Sequence, residues 1–435
     1  MGNANLHNAK NEQAVEFYTL LSDIVTELNN YTDKFEGKVV FCNCDDPFES
    51  NFVKYFLMNF NRLGLKELIA TGYSTSPIRG TEVDIMDGAY VIRVTDTKKY
   101  LVGTQKDLDA AGAKYFLTVE KDKIATRLIG NPAVDKDGNP IQVTVKEKYL
   151  DDKGKERTRT IKQDVYYEPG DFRSDMSVEL LKQSDIVVTN PPFALFREYV
   201  AQLMEYEKQF LIIGNMNAVT YKEIFPLIRD NKLWLGVNGK GGTRAGNSLS
   251  FYVPPTYDGN TVTRDGKRLA QVSSWWYTNI DHAKRHMYLP LDLGYTYNGY
   301  KHMYPKYDNY DAINVDRTEQ IPCDYEPCWY QCPFSSSCEY ARTKGANGAA
   351  MCESSNNGEM GVPISFLTKH CPEQFDIVAN GGSYEGDGSV ASALFVKPDS
   401  GFTNSDDATI IAGEPESRRR RKVFKRIIIR RLPQV

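Results

Sequence analysis

Residues 185–208 constrain the fold more than any other stretch. Asp185-Ile186-Val187-Val188-Thr189 is a short apolar run that ends in Asn190-Pro191-Pro192-Phe193, and Leu195, Tyr199, Leu203 and Tyr206 then recur at three- and four-residue steps. An apolar run of this length, bounded by turn residues, reads as a strand buried on both faces. The later spacing reads as an amphipathic helix. The prolines between them fix φ and remove backbone N–H donors, which stiffens the turn. Strand, turn and helix in this order form the unit of a doubly wound α/β sheet, whose ligands bind at the carboxyl ends of the strands.

The same rhythm appears on both sides. Residues 13–30 carry helical spacing, Lys38–Cys44 reads as a buried strand, Ser50 as the cap of a helix reaching Leu63, and Leu68–Thr71 as a second strand. After Val165–Tyr167 come a short helix over 175–184, the run just described, a strand over Phe210–Gly214, a helix over 220–230 and a strand over Leu233–Leu235. Residues from about 80 to 168 interrupt this with apolar–polar alternation and the turn Asp137-Gly138-Asn139-Pro140, and read as a β-rich insertion. Past residue 237 glycine, tyrosine and proline rise, so the expected division is 1–237 and 238–435, with a further insert near 327–358.

Of 435 residues 41% are hydrophobic and 25% charged, which suits a globular core and excludes disorder as the main state. The net charge of -4 argues mildly against a nucleic-acid partner. Against it stands a local basic run, Arg418, Arg419, Arg420, Arg421 and Lys422, continued by Lys425, Arg426, Arg430 and Arg431. It reads either as a solvated tail or as a terminal strand, spanning 418–431, whose outward side chains face phosphate. No stretch is long and apolar enough to span a bilayer, and Met1–Lys10 is polar. The expectation is a cytoplasmic protein without membrane partners, whose eight cysteines are thiols or metal ligands. Cys323, Cys328, Cys332, Cys338 and Cys352 lack paired CxxC spacing, so free thiols are favoured over a zinc site and no metal is assigned. The aromatics of 275–310 are expected mainly as core.

The chemistry resides in Asn190-Pro191-Pro192-Phe193. A polar turn without N–H donors offers acceptors: the Asn190 side-chain oxygen and nearby carbonyls. Acceptors are what an aromatic amine needs. Its lone pair is delocalised into the ring, and two hydrogen bonds from its N–H groups to Asn190 and to the Pro191 carbonyl draw the nitrogen toward tetrahedral geometry, ready to attack a sulfonium methyl. Phe193 is placed to stack on the base. The tetrapeptide alone is also compatible with an ordinary turn, and the motif in its α/β context serves enzymes acting on DNA adenine, RNA adenine or glutamine side chains.

S-adenosylmethionine needs carboxylates, an apolar slot and backbone contacts. Asp171-Phe172 precedes Asn190 by one strand–helix unit and is a candidate for the cofactor's adenine, or else a helix cap. Cys44-Asp45-Asp46 follows the first strand, where a glycine-rich turn is more usual, and is a candidate for the methionine ammonium, or else a solvated turn. Tyr18 and Thr19, with Glu16-Phe17 before them, are candidates for the wall of the methionine pocket, with core packing as the other reading.

Together these residues resemble the EcoRI-type adenine-specific DNA methyltransferases. The resemblance rests on Asn5–Lys10 with Glu16–Thr19, Val39–Tyr55, Gly170–Asp175, Asp185–Tyr199, Phe210–Asn217, Tyr304–Val315 and Met360–Leu367. It implies a Rossmann-like methyltransferase sheet over 1–237 and a mixed, β-rich target-recognition region over 238–435. It implies that Asn190, Pro191, Pro192 and Phe193 form the catalytic turn and that Asp171, Phe172 and Cys44–Asp46 belong to the cofactor pocket. It further implies S-adenosylmethionine as cofactor, double-stranded DNA as substrate, a monomer, and a cognate restriction endonuclease or phage-defence setting. The rivals are an amino-methyltransferase for RNA or protein and an inactive DNA-binding homologue.

Overall fold

The computed structural model describes residues 18–44, 46–72, 89–95, 125–150, 154–238, 249–253, 261–264, 267–295, 304–307, 310–327, 357–381, 395–396, 408–410, 421–423 and 425–433. They fall into two compact units, Met1–Asn215 with Lys240–Ile280, and Met216–Gly239 with Asp281–Val435. No helix among the described residues is long and apolar enough to cross a membrane.

The first unit begins with β1 (Tyr18–Thr19), α1 (Leu21–Leu28), β2 (Val39–Asn43), α2 (Asn51–Asn59) and β3 (Glu67–Thr71). It continues through β4 (Tyr90–Val94), β5 (Ala125–Arg127), β6 (Gln142–Leu150), β7 (Glu156–Asp164), α3 (Asp175–Gln183), β8 (Ile186–Thr189), α4 (Phe196–Glu205) and β9 (Gln209–Asn215). It closes with β10 (Leu249–Tyr252), β11 (Thr261–Arg264), β12 (Lys267–Val272) and β13 (Ser274–Thr278).

Within this unit the central sheet runs β13-β9-β8-β2-β3-β4-β5. Its middle is parallel: β2 pairs with β3 and with β8, and β8 with β9. β2, with sequence Val-Val-Phe-Cys-Asn, and β8, with Ile-Val-Val-Thr, are buried at every position, which is why they appear in the sequence as continuous apolar runs. Helix starts follow local chemistry. The Ser50 hydroxyl accepts from the amides of Phe52 and Val53 at the head of α2, and the Ser174 hydroxyl from that of Ser177 at the head of α3.

Two features of the sheet bear on the expected boundaries. The stretch expected as an insertion is in part sheet: β4 lies antiparallel on β3, and β5 on β4. β13 lies antiparallel on β9, pairing Leu211 with Thr278 and Asn215 with Ser274. The α/β sheet is therefore mixed, and the division at residue 237 does not follow the compact units, because 249–280 supplies strands to the first unit while 216–239 belongs to the second. Trp275, Trp276 and Tyr277 of β13 are fully buried, and Phe52 meets Trp276 edge-to-face at 6.0 Å. β10 to β12 join β1 in a smaller sheet ordered β1-β10-β12-β11.

The second unit contains β14 (Ile313–Asn314), β15 (Glu359–Pro363), β16 (Phe375–Asn380) and β17 (Arg426–Arg431), ordered β14-β15-β17-β16. Of the 418–431 run, β17 covers Arg426–Arg431, and its arginines do not face outward. Arg426 is 1% exposed and donates to Asn314 Oδ1 at 3.1 Å, with Asp316 at 3.4 Å. Arg430 pairs with Glu359 at 2.7 Å and Arg431 with Glu326 at 2.9 Å. Acidic partners distant in sequence neutralise this half of the run. Arg421 and Lys422 lie on a short strand, Arg421–Val423, beside Ala408–Ile410 and Phe395–Val396. Arg418, Arg419 and Arg420 lie outside the described residues, as do Cys328, Cys332, Cys338 and Cys352 of the cysteine cluster and residues 328–356 of the expected insert. Among the described residues no group of His, Cys, Asp and Glu has a metal-binding arrangement.

Candidate active site

The carboxyl ends of β3, β2, β8 and β9 lie along one edge of the parallel core. Asn190-Pro191-Pro192-Phe193 closes β8 at this edge and leads through a short 3-10 turn, Phe193–Leu195, into α4. Pro191 is buried, whereas Asn190, Pro192 and Phe193 are partly exposed. The Pro192 carbonyl is taken by the Leu195 amide at 3.0 Å. The Pro191 carbonyl accepts no hydrogen bond among the described residues, and its own ring supplies no donor.

α4 braces the neighbouring loops against this turn. Tyr199, fully buried, donates its hydroxyl to Asn43 Oδ1 at the end of β2, and burial pushes that phenol well above its usual range. The Thr189 hydroxyl donates to the Asn43 carbonyl. Phe172 stands edge-on to Tyr199 at 4.9 Å, and Gln202 Nε2 donates to the Phe172 carbonyl at 3.1 Å. Glu198 pairs with Arg173 at 3.0 Å. One helix thus fastens the end of β2 and the loop of Asp171-Phe172 to the turn that precedes it.

Asp171 is 7% exposed and is clamped by Arg173, whose Nε reaches Oδ1 at 3.0 Å and whose Nη2 reaches Oδ2 at 2.8 Å, while the Arg173 amide also donates to Oδ1 at 2.9 Å. The guanidinium lies over the rings of Tyr167 and Phe172 at 4.9 and 5.3 Å. Such a fork fixes the carboxylate plane. The cap of α3 is Ser174, so capping is not what Asp171 supplies there.

After β2 the backbone turns sharply at Cys44, with φ of +91°, a region that side chains rarely adopt. The conformation that glycine usually provides is here imposed on a cysteine, and such strain tends to mark functional turns. Asp46 is not a solvated turn residue. Its carboxylate accepts from the Phe48 amide at 2.9 Å and the Tyr90 hydroxyl at 3.2 Å, and burial raises its pKa despite these bonds. Asp45 lies outside the described residues, and of Tyr18 only the backbone, on β1, is described.

Two buried hydroxyls, of Thr19 and of Thr71, have no hydrogen-bond partner among the described residues. Thr71 ends β3 at the ligand edge. The Thr19 carbonyl accepts from Asn51 at the first turn of α2, at 2.7 Å. An unmet buried hydroxyl costs roughly 1–3 kcal/mol, so both positions suit a bound polar group.

β9 shapes the floor. A Cβ on Gly214 would lie 2.4 Å from the ring of Phe196, the first residue of α4, and that ring is itself edge-on to Tyr277 at 5.0 Å. Gly214→Ala is therefore expected to destabilise the protein by about 1–3 kcal/mol through overpacking. It should also lower turnover at temperatures where the variant is folded, because α4 is displaced. Wild-type denaturation midpoint and turnover would show that the ring is not wedged there.

Of the residues singled out in the sequence, the structure brings the Asn190–Phe193 turn, Asp171-Phe172 and the turn after β2 to one edge of the sheet. Sequence reasoning missed Arg173, Asn43, Gln202 and Gly214, whose roles come from contacts between elements. A family profile described as adenine-specific methyltransferase EcoRI matches residues 5–330, a span that includes every element of this edge. The chain belongs to that family. Among curated relatives, the Type II methyltransferase M.EcoRI of Escherichia coli is 38% identical over 379 residues, covering 86% of this chain and 88% of that protein. The Type II methyltransferases M.MgeORF184P of Mycoplasma genitalium and M.MpnI of Mycoplasma pneumoniae are each 31% identical, over 86% of this chain and 84% of their own lengths. No solved structure matches significantly.

Proposed function

We propose that this family member is a site-specific DNA methyltransferase that modifies the exocyclic N6 of adenine in duplex DNA, with S-adenosylmethionine as methyl donor. The observation that carries the reading is the placement of Asn190-Pro191-Pro192-Phe193 at the ligand edge, with α4 fastening both flanking loops to it. Names of relatives, all Type II methyltransferases, favour the same chemistry.

Asn190 Oδ1 and the Pro191 carbonyl accept the two N–H bonds of the target amine and orient its lone pair. Phe193 supplies a ring for the extruded base. Flipping costs on the order of a few kcal/mol, and stacking on an aromatic ring returns about 1–3 kcal/mol. When bound, the cofactor supplies an electrophilic sulfonium methyl. The residues fit such a group: Asp171 and Phe172 offer an anchored carboxylate and ring face, the turn of Cys44, Asp45 and Asp46 a strained, acidic wall, and Tyr18 and Thr19, with Thr71, the remaining wall and unmet hydroxyls. The sheet is then of the Rossmann-like methyltransferase type. Residues 238–435 serve target recognition, with Arg418, Arg419, Arg420, Arg421 and Lys422 as phosphate contacts. A monomer with a cognate restriction endonuclease as genetic partner completes the reading.

The test is substrate choice. Incubated with labelled S-adenosylmethionine and equal amounts of duplex DNA, RNA and protein, the enzyme is expected to label duplex DNA, with N6-methyladenine as the product on digestion. Label confined to RNA or protein would overturn the assignment.

A further inference from the structure

β6 and β7 pair over nine consecutive positions, from Gln142 with Asp164 to Leu150 with Glu156, and form a separate two-stranded sheet. At ~3.4 Å per residue this ribbon is about 30 Å long. Its two faces differ. On one, Val143, Val145, Glu147 and Ile161 are half-shielded, and Glu147 is matched by Arg159 at 2.6 Å. On the other, three consecutive cross-strand pairs each join a lysine to a threonine: Lys162 with Thr144, Lys146 with Thr160, and Lys148 with Thr158. All six side chains are exposed, and no carboxylate lies in these three rows. Among the described residues Lys146 and Lys162 have no acidic partner, and Lys148 meets only exposed Glu156, at 2.8 Å.

A ribbon open on one face and only half-shielded on the other adds little to a core, and an isolated hairpin is marginal in water. Solubility alone is served by mixed charges, whereas here the three central rows of one face carry no acid, and Asp164 and Glu156 stand only in its two end rows. Lysine ammonium and threonine hydroxyl groups both donate to phosphate oxygens. Same-face rows stand ~6.8 Å apart, so the three rows cover about 14 Å, and a two-stranded ribbon fits the ~12 Å major groove of a duplex. We propose that this lysine–threonine face is a docking surface for the sugar–phosphate backbone of duplex DNA. The inference rests on the functional reading above and adds a DNA-contacting element within the first unit.

The test is the salt dependence of duplex binding for the Lys146→Ala/Lys148→Ala/Lys162→Ala variant of the full chain. Each lost phosphate contact lowers the slope of log K against log salt by about 0.9. The expected result is a slope shallower by about 2 to 3, with thermal stability and S-adenosylmethionine binding as in wild type. Lys146→Glu/Lys162→Glu should weaken duplex binding further, by more than tenfold. A wild-type slope in a variant that still binds duplex overturns the ribbon proposal alone. So does a wild-type dimer on size exclusion that the substitutions dissolve without changing the slope. A wild-type protein that binds no duplex overturns the functional reading and this inference with it.

Discussion

Asn190→Ala is expected to abolish most turnover while leaving DNA and cofactor affinity close to wild type. On the proposed mechanism the carboxamide oxygen acts on charge that develops at the amine during attack, so its removal should fall mainly on kcat. Preorganised hydrogen-bonding groups of this kind contribute on the order of 10²–10³-fold when one is deleted. Asn190→Asp keeps an oxygen acceptor at the same reach and should retain measurably more activity than alanine. On that mechanism the Pro191 carbonyl cannot substitute for the lost oxygen, because it serves the other N–H. Steady-state kinetics with a duplex substrate, alongside direct binding of DNA and S-adenosylmethionine, would read this pattern. An alanine variant with unchanged kcat would remove Asn190 from the chemistry and favour the view of the fold as a binding module.

The turn was legible in the sequence because it needs only local information. An apolar strand, two prolines and an amphipathic helix occupy adjacent positions, and β2, β8 and the middle of β9 are continuous apolar runs because these strands are buried on both faces. What braces the turn was not legible. Tyr199 and Asn43 are 156 residues apart, and the Gln202–Phe172 bond joins residues 30 apart. β4 and β13 show why strand partners and compact units are not read from the sequence pattern. An antiparallel strand has the same alternation whether it forms its own hairpin or extends an existing edge, and its partner is chosen by distant residues. The exposed ribbon of β6 and β7 was legible as strand, but its lysine–threonine segregation appears only once the register is known. The turn after β2 offers a further case: no glycine stands there, and Cys44 takes the glycine-like conformation, which the residue type alone does not announce.

The closing arginines give the second large effect, and it falls on stability. Arg426 is buried in the middle of a network in which Tyr307 donates to Asn314 Oδ1 at 2.7 Å and Asn314 Nδ2 to Asp316 at 2.8 Å. Arg426→Met keeps length and apolar volume but takes from Asp316 the guanidinium that lies 3.4 Å away. Removing one partner of a buried ion pair costs about 3–5 kcal/mol. Asp316 retains some solvent access, 23% for its side chain, so the lower end, about 3 kcal/mol, is expected. For a unit of this size that corresponds to roughly 6–12 °C in Tm. Arg426→Met combined with Asp316→Asn removes both charges of the pair and should recover part of the loss, since deleting both members of a pair costs less than deleting one. Were Arg426 instead a phosphate contact, the single substitution would leave Tm unchanged and flatten the salt dependence of DNA binding. Thermal denaturation of both variants, set beside that slope, separates a structural arginine from a DNA-facing one within a single basic run.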